Sequence, residues 1–343
     1  MVKQMMHTYL LLFRQLLENS FFPGLQPAIA VGSAFEGWSP SEEDVTYCML
    51  MPLVPPKGHT FHLELGAAGE MLSKNSQIRV ELGCTCTEGP MEEMLCFLHH
   101  PEEELRENQA PSLLHTLCTG SYLDAQKTAH WFHQLVITSW VLLPWSSQYN
   151  LKMLPCGRSC KFHMTKGNQK VLSVEIIFGV QLGDSDIYLS SQTAEPGLIP
   201  STMWPQSCVV AEAKFFREMA REVPYNSFHL KCLQICARIL EGTAFSTYTF
   251  KMVVMHLLTT IPPSDWCREH FLLRLLDIMR YLRCCLQEKR LDHIFFGNEH
   301  VPEEIDLPPA FRTAEPPNLF QHLAQDPAAH AEAMREFHYL RER

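Results

Sequence analysis

Positive charge is scarce in this chain: 28 Lys and Arg stand against 38 Asp and Glu in 343 residues, a formal net charge of −10. Such a chain repels a phosphate backbone and gains nothing from counterion release, which excludes nucleic acid as its main partner. Long apolar runs are missing too. The greasiest stretch, Trp131 to Trp145, is interrupted by His133, Gln134 and Pro144 and falls short of the roughly 20 residues a bilayer-spanning helix requires. Near the start, the run Tyr9 to Phe13 is short and no small-residue cleavage site follows it. Met1 to Ser20 therefore reads as a helix and not as a signal peptide. No P-loop, GxGxxG, GxSxG or HExxH motif occurs, which removes the commonest motif-defined enzyme classes. Regular cysteine spacing is also absent. The 13 Cys, an odd number, lie singly or as Cys284–Cys285, so the chain reads as soluble, with free thiols in a reducing compartment.

What is present is enough apolar material, 46% of residues, to bury one or two cores. Met6, Leu10, Phe13 and Leu17 recur at helical spacing, giving a brace helix over 1–20. Short β-type runs follow: Ala28 to Val31, Val45 to Leu53, Thr60 to Leu65, Gln77 to Cys86, Met94 to Leu98, Val171 to Leu182 and Ile187 to Leu189. Ser112 to Leu143 interrupts them as one mostly helical stretch. Residues 21–200 are thus a mixed α+β lobe. From there the period changes to 3.6, over Val209 to Glu222, Phe228 to Leu240, Thr247 to Thr259 and Trp266 to Phe295, an all-helical lobe at 201–297. Residues 298–318, rich in Pro and acids, read as an extended connector, and 319–343 as a last amphipathic helix.

One arrangement carries chemistry. Gly32–Ser33 ends a β run and opens a turn, and Glu42–Glu43–Asp44 leads into an apolar strand. Residues two apart on a strand share a face, so Glu42 and Asp44 project together, a spacing suited to a divalent cation. A third acid, Glu175, sits inside the run Val171 to Phe178, where a charge is costly unless paired or metal-bound. Three such carboxylates make a two-metal site, and backbone N–H groups at Gly32–Ser33 can hold phosphates. By pattern alone, a solvated acidic turn and a structural ion pair at Glu175 explain the same residues.

The ordered set of Gly–Ser, an acid pair opening a strand and a distant strand acid resembles the nucleotidyltransferase fold. The phrase Val31 to Trp38 (VGSAFEGW), with Glu42 to Pro52 after it, resembles the male-abnormal-twenty-one (Mab-21) domain family, whose enzyme member is cyclic GMP-AMP synthase. Phe21 to Pro27 (FFPGLQP) is similar to its inositol trisphosphate receptor-interacting protein-like branch. The resemblance implies a bilobal nucleotidyltransferase-like mixed-sheet lobe followed by an all-helical lobe. It further implies catalytic and metal-binding roles for Glu42, Asp44 and Glu175 with Mg2+, and nucleotide-binding roles for Gly32, Ser33, Thr247 as a hydroxyl and Tyr248 as the base-stacking aromatic. By pattern alone, Tyr248 is a helix-start aromatic of the core.

The departures point away from catalysis. Glu43 stands where the enzyme has an apolar residue, Glu175 where it has Asp, and Pro205 where a basic residue follows the Trp; Ala237–Arg238 leaves the phosphate-binding Lys without a counterpart. The family's zinc-binding insertion before the helix at Phe228 is missing, which with net acidity removes the basis for binding double-stranded DNA. Elsewhere Cys84-x-Cys86 with Cys96 and His99 has ligand types for zinc, but the two thiols fall in an expected strand where small buried thiols are ordinary, and no zinc is expected. Two readings remain. In the first the chain is a non-catalytic signalling or adaptor protein acting through protein contacts, its partner a membrane receptor or channel and its membrane association inherited from that family. In the second it is a magnesium-dependent nucleotidyltransferase or nucleotide-binding protein using Glu42, Asp44 and Glu175.

Overall fold

The computed structural model describes the chain except residues 42–44, 67–74, 87–93, 193–198, 223–226, 240–244 and 343. It divides into two compact units, one of Met1–Val31 with Thr46–Val210 and the other of Gly32–Val45 with Ala211–Arg343.

The first unit is built on Gln169–Gln181, the longest strand, whose middle (Leu172 to Val180) is almost wholly buried. Burial on both faces explains its near-continuous apolar reading and its parallel partner. It runs parallel to Thr46–Val54, with Glu175 opposite Cys48, and antiparallel to Cys160–Lys166 and Tyr188–Ser190. Ile29–Val31, Gly24–Leu25, Asn150–Met153 and Gln206–Ser207 complete a mixed sheet. Gly179 is small for a reason: a Cβ there would come within 3.2 Å of Tyr188 and 3.3 Å of Leu50. The helix Ala125–Trp140 starts on Asp124, whose carboxylate accepts from the amides of Gln126 and Lys127, a favourable N-cap. Its Phe132 meets Phe178 of the long strand edge-on at 5.2 Å and Phe13 of the N-terminal helix, Val2–Leu16, at 5.5 Å. The brace helix is thus tied to the sheet through one buried aromatic.

A second, four-stranded antiparallel sheet joins His59–Glu64, Gln77–Leu82, Tyr122–Leu123 and Cys118–Thr119. Here the sequence expectation fails at Ser112 to Leu143. Gly120, at φ +61°, turns the chain into a small hairpin between the short helix Leu113–Thr116 and the long one. Met94 to Leu98, expected as a strand, is a turn in which the Cys96 carbonyl accepts from the amides of His99 and His100. Gln77–Leu82, expected to run on to Cys86, stops short of Cys84 and Cys86.

The second unit is helical. Its main helices are Ala211 onward of Val209–Glu222, His229–Ile239, Thr247–Thr260 and Phe271–Glu288. The segment expected as an extended connector is packed instead. Ile305 and Phe311 are buried, Phe311 stacks on Phe296 at 4.1 Å, and the Gly297 amide donates to the Phe311 carbonyl. Proline fixes φ without preventing burial, so a Pro-rich run with a few large apolar residues is held by those residues. Among the described residues no helix is long and apolar enough to cross a membrane.

Candidate functional site

The second unit contains a buried cluster of charge. Gly32, at φ +79° and ψ 174°, takes a conformation that favours glycine; its carbonyl accepts from the amides of Phe35 and Glu36 and starts the short helix Ser33–Glu36. That turn buries Glu36. Lys251, the one charge in the apolar helix TYTFKMVVMHLLTT, donates from Nζ to Glu36 at 2.9 Å and to Glu212 at 2.6 Å. Trp38 donates from its indole to the other oxygen of Glu36 at 2.7 Å, and Lys251 Nζ lies 5.6 Å from the centroid of Phe216 and 5.9 Å from that of Trp38, cation–π distances.

Protons in the cluster can be placed by counting. The single hydroxyl hydrogen of Tyr248 is donated to Glu212 at 3.0 Å, so His293 Nε2, 2.9 Å away, donates to the Tyr248 oxygen. His293 Nδ1 then carries the lone pair that receives the Phe295 amide at 3.4 Å. Neutral His293 agrees with this. Burial pushes its pKa down to about 4, and the nearby Glu212 carboxylate only partly opposes that. For Glu212 burial works to raise the pKa, but the Lys251 ammonium and the hydrogen bonds from Lys251 and Tyr248 prevail and hold it below the usual carboxylate range. Burial likewise lowers the pKa of Lys251, and the two carboxylates outweigh it, so the ammonium persists.

Tyr248 also faces a cavity of about 480 Å³ lined by Phe245, Phe320, His322, Glu332 and Glu336 among others, with no Lys or Arg among the described residues of its wall. Thr247 is exposed in the first turn of the same helix, after Ser246, which caps it by accepting from the Thr249 amide. Gly32 and Ser33 therefore shape the turn that delivers Glu36 to Lys251, and Tyr248 joins that network through Glu212. Glu36, Glu212 and His293 were not singled out from sequence. The signal that could have found them is Lys251 itself, since a lone ammonium in an apolar helix needs a buried acid.

Glu42 and Asp44 lie outside the described residues. Glu175 belongs to the first unit and is compensated there. It accepts from Ser159 Oγ at 2.8 Å and pairs with Lys161 Nζ at 3.2 Å. Lys161 is 45% exposed, so the pair is worth about 1 kcal/mol or less. Glu175→Gln keeps an acceptor for Ser159, and we expect chemical denaturation to show a loss of that size; a loss of several kcal/mol would show that the charge itself is needed.

Fold and sequence together define a Mab-21-type protein with a nucleotidyltransferase-like α+β architecture: the Mab-21 protein HhH/H2TH-like domain matches residues 229–306. Similarity to curated proteins extends over far more of the chain. It is 34% identical over 338 residues to rat inositol 1,4,5-trisphosphate receptor-interacting protein-like 1 and 35% identical over 340 residues to the mouse protein, in each case 95% of this chain and 62% of the relative. The human inositol 1,4,5-trisphosphate receptor-interacting protein is 30% identical over 322 residues, 85% of this chain and 57% of the relative. The chain belongs to the inositol 1,4,5-trisphosphate receptor-interacting protein-like family, and it spans about 62% of the length of the first two relatives.

Proposed function

We propose that this chain is a non-catalytic module that acts through protein contacts, and that its partner is a membrane channel of the inositol trisphosphate receptor kind for which its relatives are named. The observation that carries the reading is the internal engagement of Tyr248 and Glu175, two of the groups a nucleotide and its metal would need. Tyr248 has its hydroxyl committed to Glu212 and His293, the described residues of its cavity wall include two Glu and no Lys or Arg, and Glu175 is paired with Lys161 and Ser159. A phosphate brought to that wall meets carboxylates, and electrostatics of this sign weaken anion binding.

The test has two arms on one protein. In thermal shift with ATP or GTP and Mg2+ we expect no stabilisation; a ligand at about 100 times its dissociation constant would add about 2.7 kcal/mol, and that result, or formation of a nucleotidyl product, would establish the magnesium-dependent alternative. In surface plasmon resonance against purified inositol trisphosphate receptor we expect saturable binding, unchanged by nucleotide and by Glu175→Gln. Absence of binding would remove the assigned partner.

A further inference from the structure

Cys84, Cys86, Cys96 and His99 form a cluster that the activity proposed above does not use. The strand Gln77–Leu82 ends before the first two, leaving Cys84, Cys86 and His99 exposed and only Cys96 buried. The sequence reading of ordinary buried strand thiols is therefore wrong about where they lie. The four ligand atoms all lie within 4.8 Å of one another. His99 Nδ1 is 3.6 Å from the sulfur of Cys84, 3.0 Å from that of Cys86 and 3.5 Å from that of Cys96. One imidazole nitrogen offers either one N–H or one lone pair, so it cannot hydrogen-bond three sulfurs at once. A cation at the centre resolves this. With metal–sulfur and metal–nitrogen bonds of about 2.3 and 2.0 Å at tetrahedral angles, each sulfur lies about 3.5 Å from the nitrogen.

The backbone prepares the same geometry. Cys84 and Cys86, just past the end of the strand, both bring their sulfurs to His99 Nδ1. The loop before them is fixed by the Gly83 amide donating to the Gly58 carbonyl at 2.9 Å. On the other side, the Gln109 amide clamps both the N–H and the carbonyl of Leu95, next to Cys96. Phe97, inside the turn, packs edge-on against Phe21 at 4.6 Å and against His59 at 5.3 Å. Each half of the ligand set is thus anchored independently of any metal.

We propose that Cys84, Cys86, Cys96 and His99 Nδ1 bind a structural zinc ion. Three thiolates and an imidazole select a soft or borderline cation in tetrahedral geometry and reject Mg2+ and Ca2+, which take oxygen ligands. Four protein ligands leave no open position, so the ion cross-links and does not catalyse. It ties the end of the Gln77–Leu82 strand to the Cys96–His99 turn. Binding deprotonates the ligating thiols, and the exposed side of the cluster gives the ion its way in.

The full chain, purified under reducing conditions without added metal and without a histidine tag, should carry one zinc per chain by elemental mass spectrometry. Cys86→Ser, Cys96→Ser and His99→Ala should each abolish that stoichiometry, while Cys156→Ser, outside the cluster, retains it. Replacing zinc by cobalt in the wild-type chain should give thiolate charge-transfer and intense visible bands of a tetrahedral site, a readout that stands if the variants fail to fold. A wild-type chain with neither stoichiometric zinc nor those cobalt bands overturns the proposal. So does non-reducing peptide mapping that finds any of the three cysteines in a disulfide. None of these outcomes depends on receptor binding or nucleotide.

Discussion

Replacing Lys251 by Met is expected to cost about 3 to 5 kcal/mol of stability at neutral pH, because it leaves Glu36 and Glu212 buried without their cation. Its pH signature separates this from a packing defect. In the wild type the depressed Glu212 carboxyl contributes stability that is present above its unfolded value and lost as pH falls through its folded value. The raised Lys251 contributes stability that is present below its unfolded value and lost only as pH rises through its folded one. Without the ammonium, burial dominates and the Glu212 pKa moves above its unfolded value. The sign then reverses, and the deficit of Lys251→Met shrinks on mild acidification. Adding Glu36→Gln and Glu212→Gln to Lys251→Met should recover much of the loss, since a fully neutral cluster buries no unpaired charge. Urea melts from pH 5 to pH 8 decide it. A deficit under about 1 kcal/mol at neutral pH would mean that water or another cation compensates the pair.

The parts of this molecule that sequence reveals are those whose signal is local. The central strand is readable because burial on both faces leaves an unbroken apolar run from Val174 to Val180 apart from Glu175 and Gly179. Among the helices of the second unit, Phe271–Glu288 is readable because it buries one stripe, Arg274, Ile278, Leu282, Cys285 and Leu286, and Thr247–Thr260 because it is apolar nearly all round. The hairpin at Cys118–Leu123 was missed because its turn rests on the single glycine at 120, inside a run of otherwise good helix formers. The strand Cys160–Lys166 was not singled out, because the hydrogen bonds that make it a strand come from its partner Gln169–Gln181, which sequence cannot display. The two charge-bearing clusters differ in the same way. The ligands at Cys84, Cys86, Cys96 and His99 are close in sequence and were visible as types, but their exposure depends on where one strand ends. Glu36 and Lys251 are 215 residues apart, and only folding of the second unit makes them neighbours.

Acid should weaken the fold well before the carboxylates titrate. His293 and His229 are both buried, and burial lowers the pKa of each to about 4. His229 is held neutral in a site with little to offer a cation: Nδ1 is engaged by Ser227 at 2.6 Å, Nε2 is buried with no hydrogen-bond partner among the described residues, and the ring stands edge-on to Trp266. His293 faces Glu212, Lys251, Tyr248 and His256. A histidine whose folded pKa is depressed contributes stability that is complete above its unfolded value near 6.5 and lost as pH falls through the window down to the folded value. Between pH 7 and pH 5 this amounts to about 2 kcal/mol for each ring. Glu212 adds little there, because its unfolded carboxyl is still mostly ionised at pH 5. His59 and His133, also lowered chiefly by burial, add to the slope in the same direction. Denaturant melts at pH 7 and pH 5 should therefore differ by about 4 kcal/mol from His293 and His229 alone. His293→Gln, which keeps a donor for Tyr248, and His229→Gln should each remove about half of that. Equal wild-type stability at the two pH values would show that these rings accept a proton inside the folded unit, and His293 Nδ1 could then no longer accept from the Phe295 amide.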